Sequence, residues 1–506
     1  MADRITALIG IDVGTTNLKV LATTPGGRLL HTVTRPMVVH RPKAGWADFD
    51  VHALLRGILE GLAEISAALP ERAHVASIAV ASIGESFVGL DDDGAVITSC
   101  PTWFDRRTRN ALDDFGLDAR RWYDTTGMAD DDIATIHRIH WHIQHGLVDN
   151  ASVRRWLKVA DFCVFRLCGQ AVAAPSLAAR SGLFDRNTGR WSDEMLSAVA
   201  LDVDQLPRAA PAASVAGGLL PEVARETGLT AGTPVVNAGH DHPCAGVACR
   251  IVEPGSLMDS TGTAEAIKTV IPGPLDYDAT LGGRYDCYPH AIPERFMLSG
   301  HLPSAGGFIA WLTRALASEA GPDRTAPGTP ERVTESLLAL ALDSPPGANG
   351  VRVLPYLEGT GAPFNLRGQT GEVLGLRGYH GRADLLRAAF EGCGFWLDVN
   401  VETLSRIIGE RIGSVVAVGG GSRSDLWLRI KSAFLQRPMV VPDIPEAAAF
   451  GAALVGGIAV GAVGLGRDAL PDLPIRTVEA DEQERSAYQD VAADYRRIYA
   501  ERFGTI

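Results

Sequence analysis

A carboxylate, a glycine and two hydroxyls crowd one tight bend in the stretch IGIDVGTTNLKV, residues 9–20. Asp12 is followed by Gly14, Thr15, Thr16 and Lys19. A glycine turn lets backbone N–H groups approach an anion with no Cβ in the way, and threonine hydroxyls add donors. A carboxylate beside such an anion repels it unless a divalent cation lies between, so Asp12 points to Mg2+, held directly or through water. The same ingredients return in SLMDSTGTA at 256–264. One such turn alone reads at least as well as a hairpin capped by Asx and Thr bonds. Two matched turns, each opening an α/β half, read as grips on the two ends of one polyphosphate. A strand ending in Gly419, Gly420 and Gly421 before a helix reads, taken alone, as an ordinary βα loop, although its bare backbone has room for a planar base and ribose.

The elements that must hold these residues follow from periodicity. Ile5–Gly10, Leu18–Thr23 and Leu29–Thr34 read as strands, the first two joined by the Gly/Thr turn. His52–Leu69 has helical apolar spacing, and Val75–Ile83 is a buried-strand candidate followed by Phe87–Leu90. A second set begins near Gly255 with Leu257–Asp259 and Ala264–Val270. Arg382–Ile408, Asp425–Phe434 and Asp481–Arg502 read as helices, and Ser414–Val418 as a short buried strand. The mixture is an α/β pattern, and Pro254-Gly255 marks the expected boundary between domains 1–252 and 253–506. The Pro/Gly clusters at 322–330 and 343–350 read as surface loops.

The 506 residues suffice for two large domains, and 46% hydrophobic with 21% charged residues is ordinary for a globular chain. A net charge of −13 argues against a general nucleic-acid or anionic-membrane partner, because both need a basic footprint. The seven cysteines form no C-x-x-C pair and read as buried thiols of a reducing, cytoplasmic compartment. No basic region followed by an apolar run marks a signal peptide at the N-terminus. The nearly uncharged, glycine-dotted stretch 447–466 reads as a close-packed buried helix rather than a membrane span.

The two turns, together with VGGGSRSDLW at 418–427, resemble the FGGY family of carbohydrate kinases, within the sugar kinase, heat-shock ATPase and actin superfamily. GLRGYHGRADLLRAAFEG at 375–392 resembles a family signature, and residues 419–454 resemble the adenosine segment and the helix after it. The resemblance spans nearly the whole chain. It implies two ribonuclease H-like (actin-like ATPase) domains with a deep cleft between them that closes and excludes water, ATP with Mg2+, and a homodimer. It places Asp12, Thr15, Thr16, Lys19, Gly262 and Thr263 at phosphates or metal, and Gly306, Gly420, Gly421 and Ser424 around the adenosine.

VVNAGHDHP at 235–243 resembles the segment that carries the family's catalytic aspartate, here Asp241, with a second role beside the metal. A base must lie within hydrogen-bond reach of the acceptor hydroxyl, and a strand that presents Asp241 at its tip meets that need. His240 and His242 flank it, and one of them, His242, is expected to face the acceptor. Neither they nor His137, His140, His142 and His145 on the helix near 136–145 make a recognisable zinc spacing. Arg138 stands there in place of a usual lysine. TWFDRRT at 102–108 resembles the stretch after the family's substrate strand. Trp103 suits stacking on a sugar C–H face, Asp105 and Arg106 suit hydroxyls or one another, and Thr135 suits contact with the acceptor. At Gly84-Glu85-Ser86 the chain departs from the Met-His pattern of xylulose kinases. Glu85 matches the glutamate that polyol kinases use on hydroxyls, while the arginine preceding it there is Gly84 here.

The expectation is an ATP-dependent kinase of a ketose such as xylulose or ribulose, with a polyol such as glycerol or erythritol as the alternative acceptor. An actin-like or chaperone-like nucleotide switch shares the phosphate turns but leaves GHD and TWFDRRT without a purpose. A dinucleotide dehydrogenase would need G-x-G-x-x-G after the first strand, which Asp12-Val-Gly-Thr-Thr does not supply.

Overall fold

The computed structural model describes residues 4–108, 118–129, 133–316 and 339–504, so the loop expected at 322–330 lies outside the described residues. The chain divides into two units. The first holds the chain through Glu253, then Val270–Met297 and Ile444–Leu473; the second holds Pro254–Thr269, Leu298–Asp443 and Pro474–Ile506.

In the first unit the strands that position the site are β1 (Ile5–Val13), β2 (Asn17–Thr23), β3 (Leu29–Pro36), β4 (Ala73–Ser82), β5 (Phe87–Leu90), β6 (Arg155–Lys158), β7 (Val215–Gly218) and β8 (Pro234–His240). Six of them form one sheet in the order β7-β8-β4-β1-β2-β3, while β5 pairs with β6. β1, β4 and β8 run parallel, and β1–β2–β3 is an antiparallel meander. β1 is central and buried over Ala7–Val13, which explains its apolar residues with branched Ile9, Ile11 and Val13, interrupted by the one carboxylate Asp12.

Helix Val51–Ala68 covers one face of this sheet. Asp50 caps it by accepting from Ala53 N–H at 2.8 Å, and Leu54, Ile58, Leu62 and Ile65 recur at helical spacing against Leu18, Val20 and Val33. Helix Ala447–Ala459 packs on the other face, with Ala449, Phe450, Ala453 and Leu454 buried among Leu8, Leu21 and Ala79. Its glycines have a geometric reason. A Cβ on Gly451 would lie 1.7 Å from the carbonyl oxygen of Cys244, and one on Gly10 would lie 1.9 Å from that of Ala449. Backbones touch there, so no side chain fits.

The second unit has β9 (Ser256–Thr261), β10 (Glu265–Ile271), β11 (Ser414–Val418), β12 (Met439–Pro442) and β13 (Ile475–Val478). They run in the order β10-β9-β11-β12-β13. β9 pairs antiparallel with β10 and parallel with β11, the arrangement that β1 has with β2 and β4. Helix Arg382–Ile408 is the long buried spine of the unit, and helix Asp425–Leu435 starts at a Ser424 cap that accepts from Trp427 N–H. All seven cysteines are buried thiols. Among the described residues no helix is long and apolar enough to cross a membrane.

Candidate active site

Three parallel strands of the first unit end side by side. Asp12 on β1 is registered with Ala81 on β4, and Ser82 on β4 with His240 on β8. The segments that follow therefore emerge together: Gly14–Thr16, Ile83–Ser86 and Asp241-His242. Carboxyl ends of parallel strands gather loops and ligands in α/β sheets for this reason.

Asp12 belongs to the strand itself rather than to the turn, one residue before the strand ends at Val13. It is 5% exposed, and its Oδ1 has no hydrogen-bond partner. Burial pushes its carboxyl up to about 6; Lys19 pulls it down and Glu446 adds to the rise. An orphaned, buried carboxylate oxygen suits a hard cation that takes oxygen donors, so Asp12 fits the expected Mg2+. Lys19 does not stand open: its ammonium lies 2.5 Å from the Glu446 carboxylate. The turn closes through Gly14 N–H on Asn17 O at 3.1 Å, leaving Thr16 exposed. The Thr15 hydroxyl accepts from Trp103 Nε1 at 2.8 Å, which joins the phosphate turn to the tryptophan expected at the acceptor.

Asp241 opens helix Asp241–Ala248 directly after β8. Its Oδ1 accepts from its neighbour's backbone N–H, on His242, at 2.6 Å and lies 3.1 Å from His240 Nε2. The His240 and His242 rings meet edge to face, with centroids 5.4 Å apart. His240 is buried and His242 half-buried.

Glu85 is buried, and its Oε1 accepts from Arg180 Nε at 2.8 Å and Nη2 at 2.6 Å. Arg180 Nη1 donates to Asp286 at 2.9 Å. Burial works against the Arg180 cation, yet Glu85 and Asp286 hold it above its ordinary range. A Cβ on Gly84 would lie 3.2 Å from His240 Nε2 and 3.3 Å from Arg180, so the bare backbone at 84 is what lets this arginine pass. Arg180 and Asp286 escape sequence reasoning because no local pattern links positions 85, 180 and 286. Thr135 is buried and turned inward: its hydroxyl donates to Glu85 O at 3.1 Å and accepts from Lys158 Nζ at 3.1 Å. It therefore sets the Glu85 backbone. Lys158 and Asp161 are buried as well, and burial lowers the lysine and raises the aspartate.

The reading of Asp105 and Arg106 changes. Asp105 is buried and accepts from Ala47 N–H at 2.5 Å and from Arg107 Nε at 2.8 Å, while Arg107 also holds Asp48 at 2.5 Å. Arg107 is the partner of Asp105, and the two form a buried ion-paired group with Asp48. Arg106 is exposed, with its N–H on Gly45 O. Arg138 is 1% exposed and donates to the carbonyls of Thr102 and Trp103 at 2.6 and 2.8 Å, which fixes the Trp103 backbone. The histidines of helix Thr135–Gln144 do other work: His142 Nδ1 meets Arg138 O at 2.6 Å, and His145 stacks on Trp141.

In the second unit the candidate nucleotide residues meet. Gly262 and Thr263 follow β9, and Gly419–Gly421 follow its parallel neighbour β11. Gly306 N–H donates to Gly262 O at 3.2 Å and Gly307 N–H to Thr263 O at 2.8 Å, which seats the start of helix Ala305–Leu316 on the turn. A Cβ on Gly306 would lie 2.2 Å from Gly262 O, and one on Gly421 2.6 Å from Thr261 Cγ2. Gly262, Thr263, Gly419 and Gly420 are exposed.

Residues 7–248 match the model of the N-terminal domain, and residues 257–460 that of the C-terminal domain, of the FGGY family of carbohydrate kinases. The chain is 26% identical to a xylulose kinase of Escherichia coli, over 97% of this chain and 98% of that one. It is 24% identical to a gluconokinase of Bacillus subtilis, over 97% and 94%. A crystal structure of a xylulose kinase from Rhodospirillum rubrum superposes with a TM-score of 0.85 at 26% identity, over 98% of both chains.

Proposed function

The chain belongs to the FGGY family of carbohydrate kinases, and on that premise we propose that it transfers the γ-phosphoryl group of MgATP to a hydroxyl of a ketose of the xylulose or ribulose kind. The observation that carries the reading is the register of β1, β4 and β8, which delivers Asp12, Glu85 and Asp241 from adjacent strand ends.

In this reading the Gly14–Thr16 turn and the Gly262-Thr263 turn donate to phosphate oxygens, and Gly420, Gly421 and Ser424 flank the adenosine. Mg2+, when bound, neutralises charge on the phosphates, and Asp12 is the residue that would hold it. Asp241 takes the proton of the acceptor hydroxyl. Its carboxylate is oriented for this by the His242 N–H and the His240 ring. Positioning and charge neutralisation supply most of the barrier reduction in such transfers, and a base adds roughly 10²–10⁴-fold.

Relatives of both ketose and gluconate kinases support a polyhydroxylated acceptor. The charge around the pocket favours a neutral one. Glu85, Asp161, Asp241 and Asp286 outnumber Lys158, Arg138 and Arg180 by one, and Arg180 is paired with both Glu85 and Asp286. An aldonate carboxylate would enter against that balance. The Glu85–Arg180 pair supports polyols as the second reading, because Glu85 oxygens suit a vicinal diol. A coupled ADP-release screen over pentuloses, hexuloses, polyols and aldonates tests the proposal. Turnover led by a ketose is the expected result; turnover led by an aldonate overturns the argument from charge.

A further inference from the structure

Beneath the second phosphate turn lies a buried cluster that the reaction as described does not use. Asp259 and Thr261 on β9, Glu265 on β10 and Lys431 on helix Asp425–Leu435 are all at most 2% exposed. Lys431 Nζ sits 2.6 Å from Asp259 Oδ2, 2.7 Å from Thr261 Oγ1 and 3.0 Å from Glu265 Oε1. Thr261 also donates to Asp259 Oδ1 at 3.1 Å. Two of the ammonium's three donors have a hydrogen-bond acceptor, in Asp259 and Thr261, while Glu265, whose carboxylate oxygens accept no hydrogen bond, is held by charge.

The residues so held are the hinge posts of the turn. Thr261 and Glu265 are cross-strand partners that close the hairpin around Gly262-Thr263. Thr261 is also the surface on which the adenosine glycines rest: a Cβ on Gly419 would lie 2.6 Å from its carbonyl oxygen, and one on Gly421 2.6 Å from Cγ2. Lys431 itself projects from the helix that Ser424 caps. One ammonium thus ties both strands that flank the phosphate turn, including the post beneath the glycine loop, to the helix that follows that loop.

We propose that Lys431 is a positioning residue of the nucleotide site, holding the Gly262-Thr263 turn in register with the adenosine loop, and that its carboxylate partner Glu265 makes nucleotide affinity fall as pH rises. The inference rests on the nucleotide reading given above. Two carboxylates share one ammonium, so with both ionised the cluster carries a net negative charge under a turn meant for phosphates. Burial, with Asp259 adding to it, pushes the Glu265 carboxyl up to about 8, against the pull of Lys431. Burial opposes the Lys431 cation, but the two carboxylates outweigh it and raise it. The remaining groups facing the cluster are the Cys393 thiol, raised far by burial and so neutral, and the Trp427 ring 5.0 Å from the ammonium. Near neutral pH Glu265 holds its proton and the cluster is balanced. Above about pH 8 it gains a negative charge that repels the triphosphate.

The test is titration of the whole enzyme with MgADP, by calorimetry, at several pH values between about 7 and about 9.5. Wild type should weaken by about three- to tenfold across this range, given one unit of charge acting over the depth of the turn. Glu265→Gln, which is isosteric, should flatten the profile. Lys431→Met should weaken MgADP about tenfold or more, and Lys431→Met with Glu265→Gln should recover part of that loss. A Glu265→Gln profile parallel to wild type overturns the inference, as does Lys431→Met affinity within twofold of wild type. Should Lys431→Met fail to fold, the Glu265→Gln profile alone decides. Thr263→Ala separates the two levels of argument. If it leaves MgADP affinity intact, the nucleotide reading of this turn has failed. If it weakens binding while the other variants behave as wild type, only the present inference has failed.

Discussion

Asp12 is a buried carboxylate that is unfavourable for the empty fold and that the proposed reading places at the metal. Its folded carboxyl sits near 6, above the ordinary 3.8, because burial disfavours the charge. A raised folded value means that stability is highest while the group is protonated and is lost as pH rises from about 4 through about 6. Asp12→Asn should therefore raise the stability of the ligand-free protein at about pH 7.5, by about 1–3 kcal/mol in thermal unfolding. The same change should remove the gain in nucleotide affinity that Mg2+ gives. An unchanged response to Mg2+ would take Asp12 out of the metal site. Arg180 gives a second residue-scale test. Arg180→Met strands Glu85 and Asp286 without their cation, and breaking a buried pair in this way costs about 3–5 kcal/mol. The acceptor KM should rise by at least about tenfold while MgADP affinity holds; a selective loss of nucleotide binding would contradict the pocket. At this scale the sequence draws attention to Asp12 by its glycine-threonine turn and to Glu85 and Asp241 by the family resemblance, and the structure sets all three at or just past neighbouring strand ends. Arg180 and Asp286 were not legible, because pairing across 95 or more residues leaves no mark on spacing, and neither was the burial of Arg107 between Asp105 and Asp48, the latter 59 residues away.

At the scale of elements the sequence speaks most clearly where periodicity is strong. Helix Arg382–Ile408 and strand Ser414–Val418 have the bounds that their apolar patterns imply, and Asp425–Leu435 ends one residue later than expected. β1 runs on to Val13, past the expected end at Gly10, because both its neighbours continue the ladder through Asp12 and Val13. The stretch from 447 forms a buried helix to Ala459, as its lack of apolar bulk suggests. Its glycines are set by neighbours far away in sequence. Gly451→Ala should lower stability by about 3 kcal/mol or more in denaturant unfolding, since its Cβ meets the Cys244 carbonyl at 1.7 Å. A loss below about 0.5 kcal/mol would mean that the two helices separate at little cost.

For the whole molecule, the α/β character and the likeness of the two units were readable from the repeated Asp-x-Gly-Thr-Thr and Asp-Ser-Thr-Gly-Thr turns. The chain's two returns to the first unit, at 270–297 and 444–473, were not. They are written in contacts such as Gly10 with Ala449 and Arg180 with Asp286, which have no local signature. In the proposed reading the two turns hold one triphosphate, so each chain should bind one nucleotide. Asp12→Asn in the first unit and Gly306→Ala in the second should both weaken the same single-site isotherm; a second site that survives either change would separate the two turns. The central claim, that Asp241 takes the proton of an acceptor hydroxyl, is tested most directly by acceptor-dependent ADP release in Asp241→Asn alongside MgADP titration. The account predicts a kcat lowered by about 10²–10⁴-fold with nucleotide affinity within about threefold of wild type. Turnover equal to that of wild type would contradict it.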